Sequence, residues 1–262
     1  MNDGLSMYFE DHGAGDPVLW LAGTGTCGDM WNRFQLPAFT DRYRCITMDL
    51  RGAGKTDAPL EPYSMSIMAK DVEGLIRHLE LEQAHLVGFS LGSAIVQELA
   101  LAAPLLVRSA VLWATWSSTQ IEHHIRRHFE SRLMQLSEAP PDVFRSAGFW
   151  GWAPSFVDDE ADLMEQLEAF LGEVSSIQPQ ARMEHYRADL AHDTLDRLGH
   201  ISAPTLVLYG AEDLITLPRY NRRVAAAIPG AELQEIEGGG HMAFLERPDQ
   251  CNAAIRDFLD RN

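Results

Sequence analysis

The most constraining feature of this sequence is the stretch Ala84–Ala102, which reads AHLVGFSLGSAIVQELALA. A short apolar run of strand length leads into the pentapeptide Gly88–Gly92, and apolar residues then recur at helical spacing. The pattern predicts a strand, a tight turn and a helix, with Ser90 at the turn. A reversal this sharp needs strained backbone angles and little side-chain bulk beside it, and two glycines provide both.

The chemistry of this turn makes Ser90 a candidate nucleophile. Its hydroxyl is expected near the first backbone N–H groups of a helix, where developing negative charge is stabilised. The order Gly-x-Ser-x-Gly between a strand and a helix is typical of a nucleophile elbow. The alternative is an ordinary turn whose serine caps the helix.

Size and composition narrow the class of protein. The chain has 262 residues, the size of one large α/β domain with an insertion, and 46% of them are hydrophobic, which suffices for a sizeable core. A net charge of −17 argues against binding to nucleic acid or to an anionic membrane. There is no apolar run of membrane-spanning length, and the N-terminal segment lacks the features of a signal peptide. The three cysteines, Cys27, Cys45 and Cys251, are few and widely spaced, so reduced thiols and a cytoplasmic location are expected.

Strand and helix patterns alternate along most of the chain. Strands are predicted at 7–10, 17–22, 44–48, 84–87, 107–113, 205–209 and 232–236, and helices at 30–39, 64–79, 94–102, 219–228 and 248–259. This alternation predicts a mostly parallel sheet with helices on both faces. From 117 to 198 the strand patterns stop. We therefore predict an α/β core formed by 1–116 and 199–262, with a helical cap inserted at 117–198.

Two later strand ends carry residues that could activate Ser90. Asp213 follows the strand at 205–209, and His241 follows the strand at 232–236 behind three glycines. A serine hydroxyl needs an imidazole to take its proton, and the imidazole needs a carboxylate to hold its tautomer. Asp213 or His241 alone is an ordinary loop residue, and Glu212 could replace Asp213. The three together, in this order, predict a catalytic triad.

With these motifs in place, the chain resembles the α/β-hydrolase fold enzymes over nearly its whole length. The similar segments are Ala22–Thr24 (oxyanion loop), Asp49–Thr56 (the Asp-x-Arg-Gly turn), Gly88–Gly92 (elbow), Gly210–Asp213 with Pro218 (acid), and Gly240–His241 with Glu246–Pro248 (histidine). The resemblance implies an eight-stranded type of sheet and an oxyanion hole formed by the backbone N–H groups of Leu91 and Thr24. Ala22 stands where many members have histidine, which leaves open how this loop is supported. Residues 191–198 are also similar to small bacterial 3-oxoadipate enol-lactonases and carboxylesterases.

The substrate pocket is predicted from residues beside these motifs and from aromatic residues, which could equally form the core of the cap. The predicted pocket residues are Gly23, Gly25, Trp113, Trp116, Trp150, Trp152 and Met242.

Two other motifs point to different chemistry. Gly23-x-Gly25-x-x-Gly28 with Asp49 fits a dinucleotide-binding fingerprint, which makes an NAD-dependent oxidoreductase an alternative. The bulky Trp31 at the helix start argues against it. His124 and His128 have the spacing of metal ligands on a helix, but we interpret them as part of a solvated basic face with neighbouring arginines.

We therefore expect a serine hydrolase that cleaves a small carboxylic ester or lactone, with no cofactor, no metal, no nucleic acid and no membrane partner. Activity is expected to fall at acidic pH, when His241 takes up a proton. Cleavage of a carbon–carbon bond, perhydrolysis and acyl transfer are alternatives within the same triad. A non-catalytic small-molecule receptor is an alternative of another class. The sequence does not predict the natural substrate or the oligomeric state.

Overall fold

The computed structural model describes residues 4–138 and 147–262, and this part of the chain forms a seven-stranded sheet. The strands are β1 (Phe9–Gly13), β2 (Asp16–Leu21), β3 (Tyr43–Met48), β4 (Ala84–Phe89), β5 (Val107–Trp113), β6 (Thr205–Gly210) and β7 (Glu232–Ile236). Their order is β1-β3-β2-β4-β5-β6-β7, and only β1 is antiparallel to its neighbour. The predicted α/β class with a mostly parallel sheet is confirmed. The seven strands coincide with those that the residue pattern predicts, one fewer than the resemblance implies.

Helices cover both faces of this sheet, and further helices lie in the chain segment between β5 and β6. They are α1 (Gln35–Phe39), α2 (Met65–His78), α3 (Leu91–Ala102), α4 (His123–Glu138), α5 (Pro154–Asp159), α6 (Ala161–Val174), α7 (Pro179–Ala191), α8 (Pro218–Ala227), α9 (Ala243–Glu246) and α10 (Pro248–Leu259). Every residue of β4 and β6 is buried, as expected for strands covered on both sides. Successive residues of β4 enter different cores: Leu86 packs in the cluster with α2 and α3, and Val87 in the cluster with α10. The sheet is therefore the middle layer of three.

Helix α2 follows directly from its sequence pattern. Met68, Val72 and Leu75 recur at helical spacing, and all three are fully buried. The helix begins where predicted because the Ser64 hydroxyl accepts a hydrogen bond of 3.2 Å from the Ile67 N–H, which caps the helix start.

The helix predicted at 30–39 is divided in two. Gly28–Trp31 forms a 3-10 helix, and α1 starts only at Gln35. Pro37 explains the break, because it has no backbone N–H to donate. A residue inside a helix needs this donor, whereas a residue in the first turn does not. Starting α1 at Gln35 places Pro37 in that first turn. Trp31, the last residue of the 3-10 helix, is fully buried.

Between β5 and β6 the described elements are helical, and we call this segment the helical insertion. Its two ends meet where Ser118 forms an antiparallel bridge with Asp193. The buried carboxylate of Glu122 strengthens this junction by accepting hydrogen bonds of 3.1 Å from the N–H groups of Ser117 and Ser118. The prolines of the sequence also predict breaks between helices at 139–142 and 177–180. The first lies outside the described residues, the second falls where α7 begins, and the division into core and cap at 117 and 198 stays a prediction.

Within residues 4–138 and 147–262, none of the helices combines the length and apolar character needed to cross a bilayer.

Candidate active site

Ser90 occupies a strained turn between β4 and α3. Its φ of 52° and ψ of −116° lie in a region that side-chain-bearing residues rarely adopt. The Ser90 N–H is held by a hydrogen bond of 2.9 Å to the Trp113 carbonyl at the end of β5. The flanking glycines are required sterically, because a Cβ at Gly88 would overlap the backbone of Gly92, and one at Gly92 would overlap the Leu21 carbonyl.

The loop after β2 lies beside this turn because β2 and β4 are neighbours, with Leu21 paired to Gly88. The chain order of the strands reverses here, since β3 lies on the other side of β2, and ligands bind at such switch points. Leu91 is the first residue of α3, so its N–H has no acceptor within the helix. Within the described residues, neither the Leu91 N–H nor the Thr24 N–H donates a hydrogen bond. Both N–H groups predicted to form an oxyanion hole are therefore unpaired in the described part of the chain, one at the start of α3 and the other on the neighbouring loop.

His241 and Asp213 form a buried pair on the loops that follow β7 and β6. His241 Nδ1 lies 2.9 Å from Asp213 Oδ2, and the two side chains are 6% and 0% exposed. The other Asp213 oxygen accepts from the N–H groups of Ile215 (2.7 Å) and Thr216 (2.9 Å). Glu212, the alternative acid, instead accepts from the N–H and hydroxyl of Ser155. Of the two acids, Asp213 is the one that contacts the imidazole.

The surroundings of Asp213 favour its ionised form. Burial raises the pKa of Asp213. The charge of His241 and the hydrogen bonds from His241, Thr216 and Ile215 lower this pKa by more than burial raises it, so the pKa lies below its usual value. A carboxylate held ionised beside Nδ1 fixes the tautomer in which Nε2 is free to accept a proton.

Ser90 and His241 line one cavity of about 490 Å³ between the core and the helical insertion. The Ser90 hydroxyl makes no hydrogen bond within the described part of the chain, and such catalytic contacts often tighten only with substrate bound. The wall beside Ser90 includes Thr24, and the predicted pocket residues Gly23, Gly25, Trp152 and Met242 also line this cavity.

The predictions for three tryptophans are wrong, since none of them lines the cavity. Trp113 is fully buried, because β5 turns it into the core against Trp31 and Phe244. Trp116 is fully buried against Phe129 and other rings. Trp150 is 55% exposed on the outer surface of a 3-10 helix.

Sequence reasoning missed several cavity residues on α4 and α7, which are His128, Phe129, Arg132, Arg182 and Tyr186. The prediction that His128 belongs to a solvated face is wrong, because its ring lies against the cavity. Burial there, together with the charge of Arg132, lowers the pKa of His128 to about 3. His124 lies apart, with Nε2 at 2.7 Å from the Leu214 carbonyl. The spacing of Phe129 and Arg132, which puts them on one helix face, is the signal that could have identified this wall.

The loop geometry argues against dinucleotide binding at Gly23–Gly28. The two Asp49 oxygens accept hydrogen bonds of 2.8 Å from the N–H groups of Gly28 and Lys55. That carboxylate is 5% exposed and is used to hold the loop rather than presented to a ribose. Gly28 also opens a 3-10 helix of only four residues instead of a long helix with a phosphate-binding end.

Comparison with known proteins agrees with this architecture. A model of the alpha/beta hydrolase fold family matches residues 16–248. BpoC of Mycobacterium tuberculosis H37Rv, provisionally named a non-heme bromoperoxidase, is 33% identical over 97% of this chain and 98% of its own length. RutD of Azorhizobium caulinodans, provisionally named a carbamate hydrolase, is 30% identical over 96% of this chain and 94% of its own.

Solved structures give the same result. The BpoC crystal structure superposes with a TM-score of 0.89 over 98% of this chain and 96% of that one. Est816, described as an N-acyl homoserine lactone degrading enzyme, is 29% identical, with a TM-score of 0.85 over 98% of both chains. The strand order, the elbow and these matches define an α/β hydrolase fold. This chain belongs to the alpha/beta hydrolase family, and the names of its relatives include that of a hydrolase.

Proposed function

We propose that this protein is a serine hydrolase that cleaves a carboxylic ester or lactone through an acyl-enzyme on Ser90. The observation that carries the proposal is one cavity with three features. It contains a serine on a strained strand–helix turn, a histidine paired with a buried carboxylate, and Thr24, whose N–H is unengaged within the described residues, as is the N–H of Leu91 directly after the serine. Nucleophile, base and charge-stabilising groups are the parts that acyl transfer requires.

The reaction follows in two half-steps. Ser90 Oγ attacks the substrate carbonyl carbon as His241 Nε2 takes the hydroxyl proton, and the N–H groups of Leu91 and Thr24 bind the oxyanion. The carbon–oxygen bond then breaks, and His241 donates its proton to the leaving alkoxide. A water molecule attacks the acyl carbon while giving a proton to His241, which returns it to Ser90 as the acid product leaves.

The cavity composition supports a small, partly apolar substrate. Phe89, Trp152, Met242 and Phe244 contribute apolar surface near Ser90, and the volume of about 490 Å³ lies in the range of small-molecule sites. The names of the relatives agree with attack at a carbonyl carbon, since a carbamate and an acyl lactone both present one.

A second candidate function is perhydrolysis, which the similarity to BpoC favours. Here hydrogen peroxide replaces water as attacking group in the second half-step, and a peracid leaves in place of the acid. Bromination that requires both peroxide and a carboxylate ester or acid would mark this reaction, whereas simple hydrolysis needs neither bromide nor peroxide.

Labelling with a fluorophosphonate probe tests the proposal. We expect one label per chain on the wild type, located at Ser90, and turnover of at least one member of a panel of short esters, lactones and carbamates. Absence of both label and turnover would favour a non-catalytic receptor. Turnover of a dienone substrate without ester cleavage would favour carbon–carbon bond hydrolysis.

A further inference from the structure

Helix α7 of the insertion places two buried polar side chains against the loop that carries Thr24. Asp189 Oδ2 accepts a hydrogen bond of 2.8 Å from the Thr24 hydroxyl, and His185 Nδ1 accepts one of 3.3 Å from the Gly25 N–H. Asp189 and His185 are one helical turn apart and are both 0% exposed. Two successive residues of the loop are therefore tied to one face of one helix.

The tautomer of His185 is determined by its second contact. Its Nε2 lies 2.9 Å from the Arg51 carbonyl oxygen, which can only accept, so Nε2 carries the proton and Nδ1 keeps its lone pair for Gly25. Burial lowers the pKa of His185 to about 4, which keeps the ring neutral and this acceptor intact near neutral pH.

Asp189 is a costly residue to bury. Its Oδ1 has no hydrogen-bond partner within residues 4–138 and 147–262, and its Oδ2 has only the Thr24 hydroxyl. A buried polar group with an unsatisfied atom destabilises a fold, so an explanation for its presence is needed. The one hydrogen bond of its side chain within the described residues goes to the loop that holds a proposed oxyanion donor.

The same loop lacks the support that the family resemblance implies. Where many members have histidine, this chain has Ala22, which is fully buried and has no polar side-chain atom. The only side-chain anchors of Thr24 and Gly25 among the described residues come from α7. The side-chain hydrogen bonds to this part of the loop therefore come from the insertion.

We infer that Asp189 and His185 are positioning residues for the reaction: through Thr24 and Gly25 they hold the Thr24 N–H where the oxyanion forms. This inference rests on the proposed function. A donor displaced from the oxyanion weakens binding of the transition state more than binding of the substrate, so kcat is affected more than KM.

The test is a double-mutant cycle with Thr24→Val and Asp189→Leu, which remove the two ends of one hydrogen bond and keep the Thr24 N–H. We expect each single variant to lower kcat about 10-fold, less than the roughly 10²- to 10³-fold loss of a whole oxyanion donor. KM should change less than about threefold, and the double variant should be no slower than the slower single. Asp189→Asn, which keeps an acceptor, should recover most of kcat. The inference would be refuted if the kcat losses of the two single variants multiplied in the double variant, or if the variants changed KM and left kcat unaltered.

A transition-state analogue separates positioning from general destabilisation. A trifluoromethyl ketone forms a tetrahedral adduct whose oxygen occupies the oxyanion position, so its affinity should fall by the same factor as kcat/KM. Thr24→Val is a near-isosteric change at a residue of the cavity wall and keeps the test usable should Asp189→Leu not fold. Unchanged analogue affinity in Thr24→Val would contradict the proposed role.

His185→Phe has a matched control in His192→Phe. Both histidines are buried, but His192 lies beyond the end of α7 against Trp116 and does not contact the loop. We expect a lower kcat only for His185→Phe at equal folding, and equal kcat in the two variants would overturn the inference. Ser90→Ala distinguishes the two proposals. Full activity of Ser90→Ala would refute the serine mechanism. An inactive Ser90→Ala together with fully active Thr24 and Asp189 variants would refute only the positioning role.

Discussion

The hydroxyl of Thr216 donates a hydrogen bond of 2.5 Å to Oδ2 of Asp213, the same oxygen that contacts His241. Thr216 Oγ1 also lies 3.3 Å from His241 Nδ1, so this threonine touches both members of the pair. Its backbone carbonyl accepts a hydrogen bond of 2.8 Å from Asn221, which anchors the acid loop to α8. The orientation of the proposed acid is thus fixed by a residue that takes no direct part in proton transfer.

Thr216→Val is expected to lower kcat about 10-fold, because Asp213 Oδ2 loses one donor and the imidazole loses a lateral contact. The change keeps the shape of the side chain. Steady-state kinetics on p-nitrophenyl acetate, with circular dichroism as a folding control, would measure it. A wild-type kcat would show that Asp213 is held sufficiently by its other donors.

Ser90→Ala is expected to keep the fold and to lower kcat by roughly 10³-fold or more, because no other nucleophile lies on the elbow. Ser109→Ala is the matched control. Ser109 is also buried, and its hydroxyl lies 2.7 Å from Nδ1 of His85 near the starts of β5 and β4, away from the strand ends that carry the site. Turnover at the wild-type rate in Ser90→Ala would exclude an acyl-enzyme on this residue.

Asp213→Asn is expected to reduce kcat about 10⁴-fold, since an amide both allows the wrong imidazole tautomer and fails to stabilise the imidazolium. Glu212→Gln should change kcat only a few-fold, because Glu212 contacts Ser155 rather than His241. Measuring kcat/KM for both variants checks the assignment, and a reversed order of the two losses would transfer the acid role to Glu212.

Buried neutral histidines should make the fold acid-sensitive. Burial lowers the pKa of His85, His185 and His192 from 6.5 to about 4. Between those values the unfolded chain binds more protons than the folded one, so stability is present above pH 6.5 and is lost as pH falls towards 4. Thermal unfolding from pH 4 to 8 should show this slope. The slope should be shallower in His192→Phe and unchanged in His78→Phe, a control at an exposed position.

Asp189 should have the opposite effect on stability. Burial raises its pKa from 3.8 to about 8, while the Thr24 hydrogen bond lowers it, and no charged side chain of the described chain contributes. Between pH 4 and 8 the folded state binds one more proton at Asp189 than the unfolded state does. The contribution of Asp189 to the free energy of unfolding is therefore fully present below pH 4 and is lost as pH rises through 8. The melting temperature of Asp189→Asn minus that of the wild type should therefore increase over this range. A difference that stays constant with pH would mean that Asp189 is ionised in the folded state.

The α/β core could be predicted from the sequence because the strand, helix and turn patterns of its residues match the structure that these residues adopt in the fold. Strands β5 and β7 have the predicted bounds, and the glycines around Ser90 are explained by contacts that leave no room for a Cβ. The geometry around Asp213 and His241 was predictable because parallel strands deliver their carboxyl ends to one edge of the sheet.

The cavity wall could not be read in the same way. A tryptophan such as Trp113 satisfies the same apolar pattern whether it faces a pocket or a core, and only packing decides between them. The positions of Arg132 and Tyr186 depend on how α4 packs on α7, a contact between helices that carries no short sequence motif. The contact of Asp189 with Thr24 joins residues 165 apart in the chain, beyond the range of any local pattern.

Because Ser118 and Asp193 bridge the two ends of the helical insertion, the chain leaves and re-enters the scaffold at one place, as in an exchangeable module, although contacts such as Ser155 with Glu212 also join the two parts. The hydrogen bond between Thr24 and Asp189 removes that independence. An engineer who transplants a new lid onto this scaffold to alter what it accepts must carry over the Asp189 and His185 positions as well, or also replace Ala22 to restore an anchor from within the scaffold itself.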